Sequence, residues 1–312
     1  MIISASRRTD IPTYYSNWFF NRIMNGYILV RNPIHTHQIS KIPLNPDVVD
    51  GIVFWTKNPI PMLDRFNVLR EYMYYFQFTL NSYAQDVETH VPNKQKHIIP
   101  AFKKLLDMIG PDRVIWRYDP IFLNDTYTPE YHIRYFEKIA KELSPYTKKC
   151  TISFIDFYRN TSKNVSDLSL HDFPEEAQKD LAKELAAIAH SCGLLIDTCA
   201  EGIELQEYGI GHARCIDDRL LSKLLDCPLD IRKDKSQRLA CGCVESIDIG
   251  AYDTCRNGCK YCYANYSEKT VCSNFARHIP DSPLLFGEVG PDDKITERKV
   301  MSCKVNQIRF DM

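Results

Sequence analysis

The segment Asp253-Thr254-Cys255-Arg256-Asn257-Gly258-Cys259-Lys260-Tyr261-Cys262-Tyr263-Ala264-Asn265 constrains this chain more than any other. It spaces three cysteines as C-x3-C-x2-C with an aromatic residue just before the last, a pattern that chance places in roughly 0.02 of chains with this cysteine content. Three thiolates on one tight loop can hold three irons of a 4Fe-4S cube and leave the fourth iron without a protein ligand. Zinc accepts the same ligands, but its sites usually pair C-x2-4-C twice across a longer loop.

The chain has 12 cysteines, and eight of them lie between Cys199 and Cys262. The start, Met1-Ile2-Ile3-Ser4, lacks the apolar core of a signal peptide, and no apolar run reaches the eighteen or so residues of a spanning helix. A cytoplasmic protein with no membrane partner is expected. In a reducing compartment such cysteines point to metal or catalysis rather than disulfides. Cys199, Cys215, Cys241 and Cys243 would suffice for a second, closed 4Fe-4S cluster or a structural zinc. The C-x-C pair alone carries little, since about half of chains with this many cysteines contain one. Cys227, in Asp226-Cys227-Pro228, could replace one of the four.

Length and composition allow a sizeable core: 312 residues, 44% hydrophobic and 25% charged. Short apolar runs alternate with helical stretches, the pattern of β-α units around a parallel sheet. Strands are expected at 2–5, 51–56, 72–80, 113–118, 150–157, 194–198 and 246–251. Helices are expected at 16–25, 98–109, 129–143 and 174–191, three of them ended by Gly26, Gly110 and Gly193. The fold predicted is α/β, a partial TIM-like β/α barrel in one domain over 1–285, with a cysteine-bearing insert at 199–243 and a polar tail at 286–312. Polar clusters follow most strands, where the mouth of such a barrel carries its chemistry.

The cysteine loop, led by Ser246-Ile247-Asp248-Ile249-Gly250, resembles the signature loop of the radical S-adenosylmethionine superfamily. The resemblance implies a 4Fe-4S cluster on Cys255, Cys259 and Cys262, with S-adenosylmethionine on the fourth iron. It further implies reductive cleavage to a 5'-deoxyadenosyl radical, and a reductant such as flavodoxin or ferredoxin. In that superfamily the loop follows the first barrel strand, whereas here it follows the last. A circular permutation resolves this, because the first and last strands of a barrel are neighbours. Phe54-Trp55-Thr56-Lys57-Asn58-Pro59 and Arg117-Tyr118-Asp119-Pro120 resemble strand ends of the spore photoproduct lyase branch. Over roughly residues 1 to 280, Ser4-Ala5-Ser6-Arg7-Arg8-Thr9-Asp10, Cys241-Gly242-Cys243 and Asp248-Ile249-Gly250 resemble an uncharacterised bacterial family known only as a domain of unknown function.

Under this reading Arg7, Arg8 and Asp10 could hold the carboxylate, amine or ribose of S-adenosylmethionine by charge-assisted hydrogen bonds. Lys57, Arg117 and Asp119 would face the same mouth. Asp156 and Glu201 could orient a substrate or take a proton. His35 and His37 read as polar loop residues. With Lys+Arg 39 against Asp+Glu 40 the chain carries a formal charge of -1, which gives no field favouring nucleic acid. A small molecule, a peptide or a modified RNA remain as substrate classes. The rival reading is a non-catalytic binding module stabilised by zinc or a cluster; three protein ligands per site favour the enzyme, and four favour the module.

Overall fold

The computed structural model describes residues 1–305. Runs such as IISA, GIVFWT and YYFQFT are nearly continuous in apolar or aromatic residues, as strands buried on both faces require. They form strands β1 (Ile2–Ala5), β4 (Gly51–Thr56) and β5 (Tyr74–Thr79). The other strands are β2 (Tyr27–Arg31), β3 (Gln38–Pro43), β6 (Val114–Ile121), β7 (Lys149–Phe154), β8 (Leu195–Thr198), β9 (Gly211–His212), β10 (Ile247–Asp248) and β11 (Lys294–Glu297). The α-helices are α1 (Ile11–Tyr14), α2 (Ser16–Asn25), α3 (Ile60–Leu63), α4 (Ile99–Ile109), α5 (Pro129–Leu143), α6 (Arg159–Asn164), α7 (Glu175–Ser191), α8 (Asp218–Leu225) and α9 (Glu268–Ala276).

Eight strands make one sheet in the order β10-β1-β4-β5-β6-β7-β8-β9, and each neighbouring pair is parallel. The short β10 lies beside β1, with Ile247 opposite Ile3 and Asp248 opposite Ser4. All seven expected strands occur in this sheet: β1 and β4 have the expected bounds, β6 runs on to Ile121, and the last is two residues long rather than six. The pairing order runs from β10 to β9 without joining the two.

Alternate side chains leave the sheet on opposite faces. Ile3, Phe54, Phe76 and Trp116 enter the core covered by α4, α5 and α7, which contribute Phe102, Leu105, Phe136, Leu181 and Leu185. Trp116 stacks on Phe136 with centroids 4.9 Å apart. Their neighbours Ile2, Val53, Tyr75 and Ile115 point the other way and meet Cys215, Ile216, Leu221, Cys241, Cys243 and Val244. The cysteine-bearing insert therefore packs on the face opposite the main helices.

Sequence reasoning missed a second sheet, β11-β3-β2, in which β2 and β3 are antiparallel and β11 runs parallel to β3. The stretch 286–305, expected as a polar tail, thus supplies a strand, and Ser302 and Cys303 bond the buried Asp50. Residues 306–312 lie outside the described residues. Helix α8 interrupts the insert, capped by Asp217, and α9 follows the cysteine loop, capped by Ser267. No described helix is long and apolar enough to cross a membrane.

Candidate metal centre

Loops at the carboxyl ends of β1, β4, β6, β7, β8 and β10 converge on one cavity of about 800 Å³, the end of a parallel sheet where ligands usually sit. Arg7, Arg8, Asp10, Lys57, Arg117 and Asp119 all line it. So do the loop thiols Cys255, Cys259 and Cys262 and the second set, Cys199, Cys215, Cys241 and Cys243. Asp156 is also there, paired with Arg238. Cys227 is not a substitute ligand: its Sγ turns to the carbonyls of Pro228 and Val305, at 3.6 and 3.8 Å. His35 and His37 are exposed in the β2–β3 loop. Glu201 lies off the cavity lining and accepts from the Phe154 amide at 2.9 Å; burial, with Asp156 nearby, pushes its carboxyl up to about 7.

The cysteine loop is fixed from several sides before any ligand is considered. Asp10 Oδ1 accepts from the Thr13 amide (3.0 Å) and Thr56 Oγ1 (2.8 Å), and its Oδ2 accepts from the Lys57 amide (2.8 Å) and Asn257 Nδ2 (3.1 Å). Asp10, expected to touch a cofactor directly, has both oxygens occupied by protein donors and anchors the loop through Asn257. Tyr14 donates to Asn257 Oδ1 at 2.9 Å, and Tyr15 to the Thr254 carbonyl at 2.7 Å. From the opposite side the His90 amide donates to Asn257 O and the Lys260 amide to Val87 O. Gly258 turns at φ +65 with His90 Cδ2 only 2.8 Å from where a Cβ would stand, so glycine is required there on two counts.

Asp248, at the end of β10, accepts from Ser4 Oγ (2.8 Å), Ser6 Oγ (2.5 Å), the Arg7 amide (3.0 Å) and the Gly250 amide (3.0 Å). It ties the strand that leads into the cysteine loop to the arginine-bearing loop after β1. A Cβ on Gly250 would fall 2.1 Å from Ser6 Oγ, which explains the glycine.

Lys57 is buried and donates to Glu88 Oε1 at 2.7 Å, while its Nζ stands 5.5 Å from the centre of the Tyr261 ring. Lys94 Nζ lies 2.6 Å from Glu88 Oε2, without an aligned hydrogen bond to that oxygen. Tyr261 also donates to Glu88. Burial alone would raise the Glu88 carboxyl, but the two ammonium groups overcome it and hold it at about 2. Burial likewise opposes the charge on Lys57, and Glu88 together with the nearby Cys259 more than restores it. Glu88, Lys94, Tyr261, Asn257 and Asp248 are the site residues that sequence reasoning missed. Tyr261 was visible as the aromatic of the motif, whereas nothing local marks Glu88.

Burial pushes the Cys255 and Cys259 thiols up to about 12 and the Cys262 thiol up to about 11, with neighbouring cysteines adding to each rise. Acting against this, the Asn257 and Asp10 amides favour the Cys255 thiolate, and the Ala264 and Asn265 amides favour that of Cys262. Three half-buried sulfurs with amide donors aimed at two of them suit a cationic centre that offsets their charge. Among the described residues no group of three or more His, Cys, Asp or Glu side chains already stands at single-ion spacing. The fit to a metal therefore rests on donor chemistry.

The model of a domain of unknown function, DUF1848, matches residues 2–264. The chain belongs to the DUF1848 family. The match runs from β1 to two residues past Cys262, so the DUF1848 domain holds the whole eight-stranded sheet and both sets of cavity cysteines, and leaves α9 and β11 outside. No curated protein matches the sequence.

Proposed function

We propose that this DUF1848 protein is a radical S-adenosylmethionine enzyme whose Cys255, Cys259 and Cys262 hold a 4Fe-4S cluster by three irons. The observation that carries this reading is the meeting of three half-buried loop thiols with a polar cavity on the carboxyl side of a parallel sheet. The bound cluster would supply one electron to cleave S-adenosylmethionine, yielding methionine and a 5'-deoxyadenosyl radical. The permuted barrel is supported by the pairing of β10 with β1. Read from β10, the order β10-β1-β4-β5-β6-β7 puts the cysteine loop after a first strand.

The chain's own residues supply position and charge. Asp10, Tyr14 and Asn257 hold the loop still. Lys57 keeps a positive charge beside Cys259, stabilising the thiolate through space. Arg7 and Arg8 are partly exposed at the mouth, with only long ion pairs to Asp234 (3.8 Å) and Asp248 (4.0 Å), so both have donors left for a carboxylate. Arg117 and Asp119 bind each other and serve the wall more than the cofactor.

The test is electron paramagnetic resonance of the anaerobically reconstituted, reduced protein. Added S-adenosylmethionine should shift the cluster signal, because the ligand changes an iron's coordination. Cys259→Ser should lose that response while Cys272→Ser, at an exposed cysteine, keeps it. A signal insensitive to the cofactor would favour the non-catalytic metal module.

A further inference from the structure

The second group of cysteines has a geometry of its own. Cys199 follows β8, Cys215 follows β9, and Cys241 and Cys243 precede β10, so three separate segments deliver four thiols to one place. Cys199 Sγ and Cys215 Sγ are 2.9 Å apart. Cys243 Sγ accepts from the amide of Ile216, the residue after Cys215, at 3.4 Å, and Cys215, Cys241 and Cys243 pack in one buried cluster on the same cavity wall. Three of them are buried, on the face of the sheet opposite the main helices.

Guanidinium groups accompany them. Arg117 is buried, and its Nη1 donates to Cys215 Sγ at 3.0 Å while its other nitrogens hold Asp119. Arg7, across the cavity, lies close enough to Cys243 and Cys215 to interact electrostatically with both. A cube of charge about +2 on four thiolates carries about -2, which the Arg117 N–H···S bond and the nearby Arg7 guanidinium offset in part, Arg117 sharing its charge with Asp119.

We propose that Cys199, Cys215, Cys241 and Cys243 bind a second, fully protein-ligated iron-sulfur cluster that opens on the same cavity as the Cys255 loop. The sulfurs rotate apart to receive it, since 2.9 Å is shorter even than the roughly 3.8 Å between thiolates on one tetrahedral zinc. Structural zinc sites are built from local cysteine pairs and closed off from ligands. Here the one local pair is the tight C-x-C, and all four residues line the cavity shared with the first three thiols. An N–H···S bond from Arg117 is among the contacts that tune a cluster's potential. The assignment rests on this cluster of side chains and stands whether or not S-adenosylmethionine binds at the other loop.

Iron and acid-labile sulfide per chain, after anaerobic reconstitution, test it. The wild-type protein should hold about eight of each, and the Cys255→Ala/Cys259→Ala/Cys262→Ala variant about four, with a reducible cluster signal. Cys241→Ala/Cys243→Ala, with the first loop intact, should also drop to about four, which decides the matter if the triple variant does not fold. Zinc in place of iron in the triple variant, or no loss of iron on removing Cys241 and Cys243, overturns the proposal. About four irons in the wild type, retained in the triple variant, would instead leave this site standing and remove the cluster from the first loop.

Discussion

At the scale of single residues, buried polar groups are held by partners that the sequence does not announce. His132 is one: fully buried, it places Nε2 2.9 Å from the Phe122 carbonyl and Nδ1 2.8 Å from the Tyr118 hydroxyl. Nε2 must donate to the carbonyl, and in the neutral ring Nδ1 then accepts from Tyr118. Burial lowers its pKa to about 4 from the ordinary 6.5. Between those values the unfolded chain takes up a proton that the folded chain excludes, so stability is full above 6.5 and falls as pH drops towards 4. The loss is at most about 3 kcal/mol. Urea unfolding from pH 7 to pH 4 should show this slope, and His132→Gln should flatten it. An identical slope in the variant would place the titration elsewhere.

Among elements, the cysteine loop depends on contacts with α1, the end of β4 and the 84–90 loop, and Asp10 is where two of these meet. Asp10→Asn turns an amide donor towards Lys57 N–H or Asn257. The expected cost is about 1–3 kcal/mol in the metal-free protein, together with faster loss of iron to a chelator. Iron retention equal to wild type would show that the loop is held by its other bonds. The large parallel strands were legible because strands covered on both faces read as unbroken apolar runs. The β2–β3 hairpin was not, since its strands are half-exposed and their pairing across Pro33 is set by tertiary contact. Helix α8 carried a readable signal, the Asp217 cap with Leu220, Leu221, Leu224 and Leu225, but it lies in a stretch dominated by its cysteines. Strand β11 is exposed along its length and made only by pairing with β3.

In the whole molecule, one cavity collects both cysteine sets and the charged residues marked at strand ends, which come from positions 7 to 262. The site was legible in outline because a parallel sheet sends all its carboxyl ends to one side, so polar clusters after successive strands converge. Its internal pairing was not, because Glu88 with Lys57 and Lys94, or Asp248 with Ser4 and Ser6, join residues far apart in sequence and depend on the fold itself. The most direct measurement is the product formed when anaerobically reconstituted protein is mixed with dithionite and S-adenosylmethionine. 5'-Deoxyadenosine and methionine should form in equal amounts, and neither in Cys259→Ser; a cluster-loaded, reduced protein that leaves S-adenosylmethionine intact would rule out the radical chemistry proposed.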